Sequence, residues 1–111
     1  MSPVELATAQ LEAYNRQDLD AHCAVFTDDV VVADFNGPIV RTGIQAYRDA
    51  YVKLFAEHPQ NRADVVSRIV LGNTVIDHER VARKPGGDTF DVVAIYTIAG
   101  DKIARVDFVR G

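Results

Sequence analysis

The chain has no tryptophan, one methionine and a single cysteine, Cys23, among 111 residues. One thiol closes no internal disulfide and has no companion for a zinc knuckle, so a reducing, cytoplasmic setting is the expectation. No apolar stretch approaches bilayer-spanning length, and Met1-Ser2-Pro3-Val4-Glu5-Leu6 shows no basic region followed by an apolar one. Lys and Arg form no stripe. With a net charge of −4 and a pI near 5.2, the chain is a poor match for nucleic acid or an anionic membrane, and a neutral or weakly polar small molecule fits better. A G-x-S-x-G elbow, a phosphate loop and a Gly-rich dinucleotide turn are all missing, so no cofactor is expected. What is present is ordinary for a globular protein: 48% hydrophobic and 25% charged residues, in a length that suits one core and a single domain over 1–111.

The first half reads as helical and the second as strands. Ser2-Pro3 ahead of Val4, Ala7, Leu11 and Tyr14 predicts an amphipathic helix ending near Asn15-Arg16-Gln17. Asp18 caps a shorter helix with inner positions Leu19, Cys23 and Phe26. A strand over Val30–Asp34 follows, then Asn36-Gly37-Pro38, a brief Ile39-Val40-Arg41 extension and a third helix with inner positions Ile44, Tyr47, Tyr51, Leu54 and Phe55. Runs at 61–71, 74–84, 89–98 and 102–110, parted by credible turns, form an antiparallel meander. Phe90, Val92, Ala94, Tyr96 and Ile98 share one apolar face with Ala104, Val106 and Phe108. The opposite parity mixes Asp91, Thr97, Arg105 and Asp107 with Val93, Ile95, Ile103 and Val109, a mixture that suits a homodimer interface on the outer face of the sheet.

Among candidate site residues, Asp34 comes first. Strand alternation puts it on the face of Val30 and Val32, where desolvation would raise its carboxyl toward proton exchange near neutrality; the alternative is a solvated turn former before Asn36-Gly37-Pro38. Tyr14, Tyr47 and Tyr51 form a helical aromatic stripe whose hydroxyls need partners if buried. Asp77, His78 and Glu79 offer three potential metal ligands in a row, but alternation sends His78 to one face and the acids to the other, so no metal site is expected. Cys23 reads as core, and His22 and His58 as surface or cap residues near helix ends.

The order helix, helix, strand, helix, long meander resembles the nuclear transport factor two-like superfamily, in its ketosteroid isomerase and SnoaL-like branch. The resemblance covers essentially the whole chain. Its most specific stretch runs from Asp18-Leu19-Asp20-Ala21 through Phe26-Thr27-Asp28-Asp29 to Asp34, with Gly43 at the start of the third helix and Gly100-Asp101-Lys102-Ile103 before the last strand. It implies an α+β fold: a cone-shaped curved antiparallel sheet with three helices on its concave face, a cystatin-like α+β barrel. It also places Asp34 on the isomerase's catalytic base and Tyr51 on a tyrosine that supports the oxyanion hole. The two oxyanion donors do not carry over: Gln10 and Ala94 stand at their positions. Each such donor is worth about 3–4 kcal/mol, so strict steroid isomerase activity is not expected. Gln10 can still donate from its amide, and Tyr14, one turn on, can replace the phenol. The alignment turns His78 toward the cavity as proton partner or hydrogen-bond donor, together with Arg80.

Glu79-Arg80-Val81 also resembles the segment that supplies limonene epoxide hydrolase with its arginine, but the acid two residues on is Ala82 here, which makes epoxide hydrolysis a minor reading. Asp77, Glu79, Arg105 and Asp107 then read as a charged network on the outer face. The expectation is an enzyme with cofactor-independent acid/base chemistry (isomerisation, cyclisation, dehydration or hydrolysis) on an apolar carbonyl or polyketide-like compound. Asp34 and His78 would be catalytic, and Tyr14, Tyr51, Tyr96, Gln10, Arg80 and Phe108 would bind substrate. A non-catalytic ligand-binding protein and a dimerising scaffold are the alternatives.

Overall fold

The computed structural model describes residues 1–111. Its elements are α1 (Pro3–Asn15), α2 (Leu19–Cys23), β1 (Phe26–Asp34), β2 (Ile39–Thr42), α3 (Ile44–Glu57), β3 (Arg62–Leu71), β4 (Thr74–Ala82), β5 (Thr89–Ala99) and β6 (Lys102–Arg110). Ser2 opens α1 with a capping box: its hydroxyl accepts from the Glu5 N–H while the Glu5 carboxylate accepts from the Ser2 N–H. Asp18 caps α2 by accepting from the Ala21 N–H. That helix is shorter than the sequence predicts. Phe26, expected on its inner face, instead begins β1, where it is buried beside Ile103 of β6. Burial of a phenyl ring is worth about 2–3 kcal/mol and outweighs one more helical turn.

The six strands form one curved sheet in the order β2-β1-β6-β5-β4-β3. The meander β3 to β6 is antiparallel throughout, as predicted, and so is the β1–β2 hairpin. The β1–β6 pair is parallel, which corrects the wholly antiparallel expectation. With β2 on one edge of β1, the returning β6 can pair only with the other edge, and the crossover through α3 sets its direction. Register shifts between Val65 and Ser67 and between Thr97 and Ile98 interrupt the ladders, and such bulges bend and twist a strand locally. The second shift also turns Ile103 inward: it is fully buried, not on the outer face as its parity predicts.

The helices pack on the concave side, α1 against β3 and β4, α3 against β1 and β2, and α2 against the other two helices. Between them lies a core built from Leu6, Phe26, Val30, Val32, Val75 and Ile103. The buried stripe of α1 is Leu6, Ala7, Gln10 and Ala13; of the predicted Val4, Ala7, Leu11 and Tyr14, Ala7 is buried, Leu11 and Tyr14 are half-buried and Val4 is exposed. A buried glutamine amid that stripe requires a polar partner across the cone. No helix is long and apolar enough to cross a membrane.

Candidate active site

Side chains stop short of filling the cone, leaving a cavity of about 320 Å³ between α1, α3 and the sheet, within the size range of small-molecule sites. Gln10, Tyr14, Tyr51, Tyr96 and Phe108, all expected to bind substrate, line it. Three further expectations are corrected. Asp34 does share the concave face of Val30 and Val32, but it sits at the open rim, with its side chain 43% exposed and ion-paired to Arg110 at 2.5 Å, outside the cavity lining. His78 and Arg80 point away from the cavity altogether. On the convex face His78 Nε2 lies 2.7 Å from Asp91, and Arg80 binds the same carboxylate at 2.9 and 3.0 Å. The Arg80 hydrogen bond, with His78 second, holds the Asp91 carboxyl down to about 2.

The reason is the register between β4 and β5. Val81 pairs with Phe90, Glu79 with Val92, Asp77 with Ala94 and Val75 with Tyr96. Since paired residues share a face, the inward Phe90, Val92, Ala94 and Tyr96 carry Asp77 and Glu79 inward and leave His78 and Arg80 outside. The outer-face network predicted for four charged residues is thus limited to Arg105 and Asp107, which pair at 3.0 Å.

Asp77 and Glu79 are handled differently. Asp77, fully buried, takes a two-pronged bond from Arg68 (2.6 and 2.9 Å), and Arg68 gives a further N–H to Thr8 Oγ1 at 2.7 Å. This pair ties β3, β4 and α1 together as structure. Glu79 forms no ion pair, although the Arg68 charge nearby slightly opposes the rise of its pKa. It is 6% exposed, lines the cavity and accepts one hydrogen bond, 2.9 Å from the Tyr96 hydroxyl, which in turn accepts from Gln10 Nε2 at 2.9 Å. Burial pushes the Glu79 carboxyl up to about 7; the Tyr96 bond opposes the rise, and the Asp77 charge adds to it. A carboxyl that titrates near neutrality on a cavity wall can both take and return a proton.

Tyr14 offers a hydroxyl on the same cavity wall. Its hydroxyl accepts from Asn61 Nδ2 at 2.5 Å, and Asn61 Oδ1 is held by Arg83 Nη1 at 2.9 Å. A guanidinium only donates, so Arg83 fixes the orientation of the amide. The phenol, occupied as an acceptor, retains its own O–H proton for the cavity. Burial raises the Tyr14 hydroxyl above its usual range, with the nearby Arg83 charge opposing. Tyr51, stacked on Tyr47 at 4.5 Å, is pushed up to about 12 by burial, so it too stays a neutral phenol.

His22, read above as a surface or cap residue, is buried beneath this wall. Its Nδ1 lies 2.8 Å from the Gln10 carbonyl and its Nε2 2.7 Å from the Tyr47 hydroxyl. The carbonyl can only accept, so Nδ1 carries the proton and Nε2 accepts from Tyr47. Burial lowers His22 to about 4, which keeps it neutral, and its ring supports Tyr51 at 4.9 Å. Cys23 belongs to the core, as expected.

No protein of curated function matches this sequence. Among solved structures, an uncharacterized cystatin-fold protein from Novosphingobium aromaticivorans is 38% identical over 99% of both chains, with a TM-score of 0.91. A candidate polyketide cyclase from Sinorhizobium meliloti is 24% identical, covering 95% of this chain and 94% of its own, with a TM-score of 0.80. A protein with a ketosteroid isomerase-like fold from Catenulispora acidiphila, solved with trimethylamine, is 16% identical over 100% and 88% of the two chains, TM-score 0.79. These last two share the fold. The SnoaL-like domain family matches residues 7–106, nearly every element that builds the cone and its cavity, and the chain belongs to that family.

Proposed function

We propose that this protein carries out cofactor-independent acid/base chemistry on a small apolar carbonyl compound, with Glu79 as the proton carrier. The single observation behind this reading is a buried carboxyl on the wall of an open cavity, raised to about 7. Membership of the SnoaL-like family and likeness to a candidate polyketide cyclase support a reaction of the isomerase or cyclase kind. Ionised Glu79 takes a proton from the carbon next to the carbonyl, and the electron pair moves onto oxygen to give an enolate, stabilised by the Tyr14 O–H. Protonated Glu79 then returns the proton to another carbon, which completes an isomerisation; alternatively the enolate carbon attacks a second carbonyl of the same molecule, whose oxygen takes the Glu79 proton, which closes a ring. Tyr96 orients the carboxylate in both directions of transfer.

The test is a screen of β,γ-unsaturated ketones and linear diketones with wild type, Glu79→Gln and Asp34→Asn. Conversion lost in Glu79→Gln and retained in Asp34→Asn supports the reading. Binding with no Glu79-dependent conversion makes the protein a ligand carrier instead. Arg80, on which the epoxide hydrolase resemblance rests, lies outside the cavity, so that activity is not proposed.

We also propose that two copies pair through the convex face. Ile69 and Leu71, 63% and 81% exposed, lie on that face of β3, near paired charges that can meet their equivalents across a two-fold axis. Sedimentation at twice the 12.2 kDa chain mass is the expected result, and a monomer would exclude it.

A further inference from the structure

The cavity is cationic in a chain that is anionic overall. The net charge is −4, yet three guanidinium groups, Arg41, Arg83 and Arg110, line the cavity. Only Arg110 has a carboxylate, Asp34 at the rim. None of the chain's nine ion pairs involves Arg41 or Arg83. Arg83 gives one N–H to the neutral Asn61 amide and lies 4.9 Å above the Phe90 ring; Arg110 lies 5.2 Å above Phe108. The aromatic faces hold two of the three forks in place, which preorganises them for a planar oxyanion.

Guanidinium groups elsewhere in this protein find carboxylates even at the surface, as Arg80 and Arg105 do. Two that face a cavity without one are short of acceptors. Glu79 does not fill that role: it bonds to Tyr96, and no ion pair links it to either arginine. Arg83 and Phe90 also border an adjoining open groove near Lys84 and His58. An anion at Arg83 therefore keeps part of its hydration instead of being stripped of it.

We propose that the ligand of this cavity is an acid, an apolar carbonyl compound bearing a carboxylate that Arg41 and Arg83 hold while its carbonyl end faces Tyr14 and Glu79. The placement of the carbonyl end rests on the function proposed above; the anion-binding end stands on the arginines alone. A Glu79 carboxyl that is protonated for much of the time near neutrality presents a neutral acid, not a second anion, to the incoming carboxylate.

The experiment is calorimetric titration with naphthoate and its uncharged counterpart naphthamide, with binding located by amide chemical-shift changes. Naphthoate is expected to bind about tenfold tighter or better, with shifts at the cavity wall. The double variant Arg41→Gln/Arg83→Gln should bind the two probes equally, while Arg83→Lys retains part of the preference. Unchanged circular dichroism in these variants separates lost recognition from lost fold. Glu79→Gln should keep the preference, so failure of the acid/base reading and failure of the anion reading are distinguishable. Equal affinity for the two probes, no naphthoate binding at about 1 mM, or a preference that survives in the double variant overturns the proposal.

Discussion

Tyr96 donates its hydroxyl proton to Glu79 Oε2 across 2.9 Å, and this is the only hydrogen bond that the buried Glu79 carboxylate receives. One neutral donor compensates a desolvated anion incompletely, and that shortfall keeps Glu79 near neutrality. In Tyr96→Phe the opposing hydrogen bond is gone, so the carboxyl should rise further. The acidic limb of any pH–rate profile, where Glu79 becomes the ionised base, should then move to higher pH, with a stability loss of about 1–2 kcal/mol by urea unfolding.

Glu79 also makes stability depend on pH. Its folded pKa is raised from 4.5 to about 7, so the fold prefers the protonated form. The contribution is therefore neutral below about 4.5 and becomes increasingly unfavourable as pH rises, levelling off above 7. Glu79→Gln should be more stable than wild type by up to about 3 kcal/mol at alkaline pH and nearly equal to it in acid. Thermal melts across pH read this directly.

His22 acts with the opposite sign. Lowered from 6.5 to about 4 by burial, it contributes fully above 6.5, and its contribution falls as pH drops from there through 4. His22→Gln should lose that acid sensitivity, worth up to about 3 kcal/mol in wild type, at some cost in packing at neutral pH.

The Arg68–Asp77 pair differs again, because it is structural. Arg68→Met leaves a fully buried carboxylate with no cation, and the expected loss is about 3–5 kcal/mol in chemical denaturation. The same substitution removes an opposing charge near Glu79 and should raise the Glu79 carboxyl further.

Much of this architecture was legible in the residues. Ser2 and Pro3 announced α1, the Gly72-Asn73 and Gly100-Asp101 turns marked hairpins, and the parity of Phe90 through Ile98 identified the concave face of β5. The phase of β4 was harder to read. The even positions Thr74, Ile76, His78, Arg80 and Ala82 carry an arginine and a histidine and the odd positions Val75, Asp77, Glu79 and Val81 two acids, so residue type alone does not choose the inward face, whereas the pairing with β5 does. The available signal lay in Val75 and Val81, two β-branched apolar residues at the ends of the odd-numbered face. Asp34 shows a second limit: alternation gives the face of a side chain, but not its depth along the cone. At the last position of β1, with Arg110 within reach, the carboxylate stays half in water. Asp34→Asn should accordingly change stability by less than about 1 kcal/mol and leave proton transfer in place.

The central claim concerns the ionisation of one side chain. Carboxyl-carbon NMR titration of labelled protein, with Glu79→Gln to assign the resonance, measures it without any knowledge of substrate. A Glu79 midpoint at about 7 is the predicted result. A midpoint at the ordinary 4.5 would show a hydrated carboxylate and contradict the assignment of Glu79 as proton carrier.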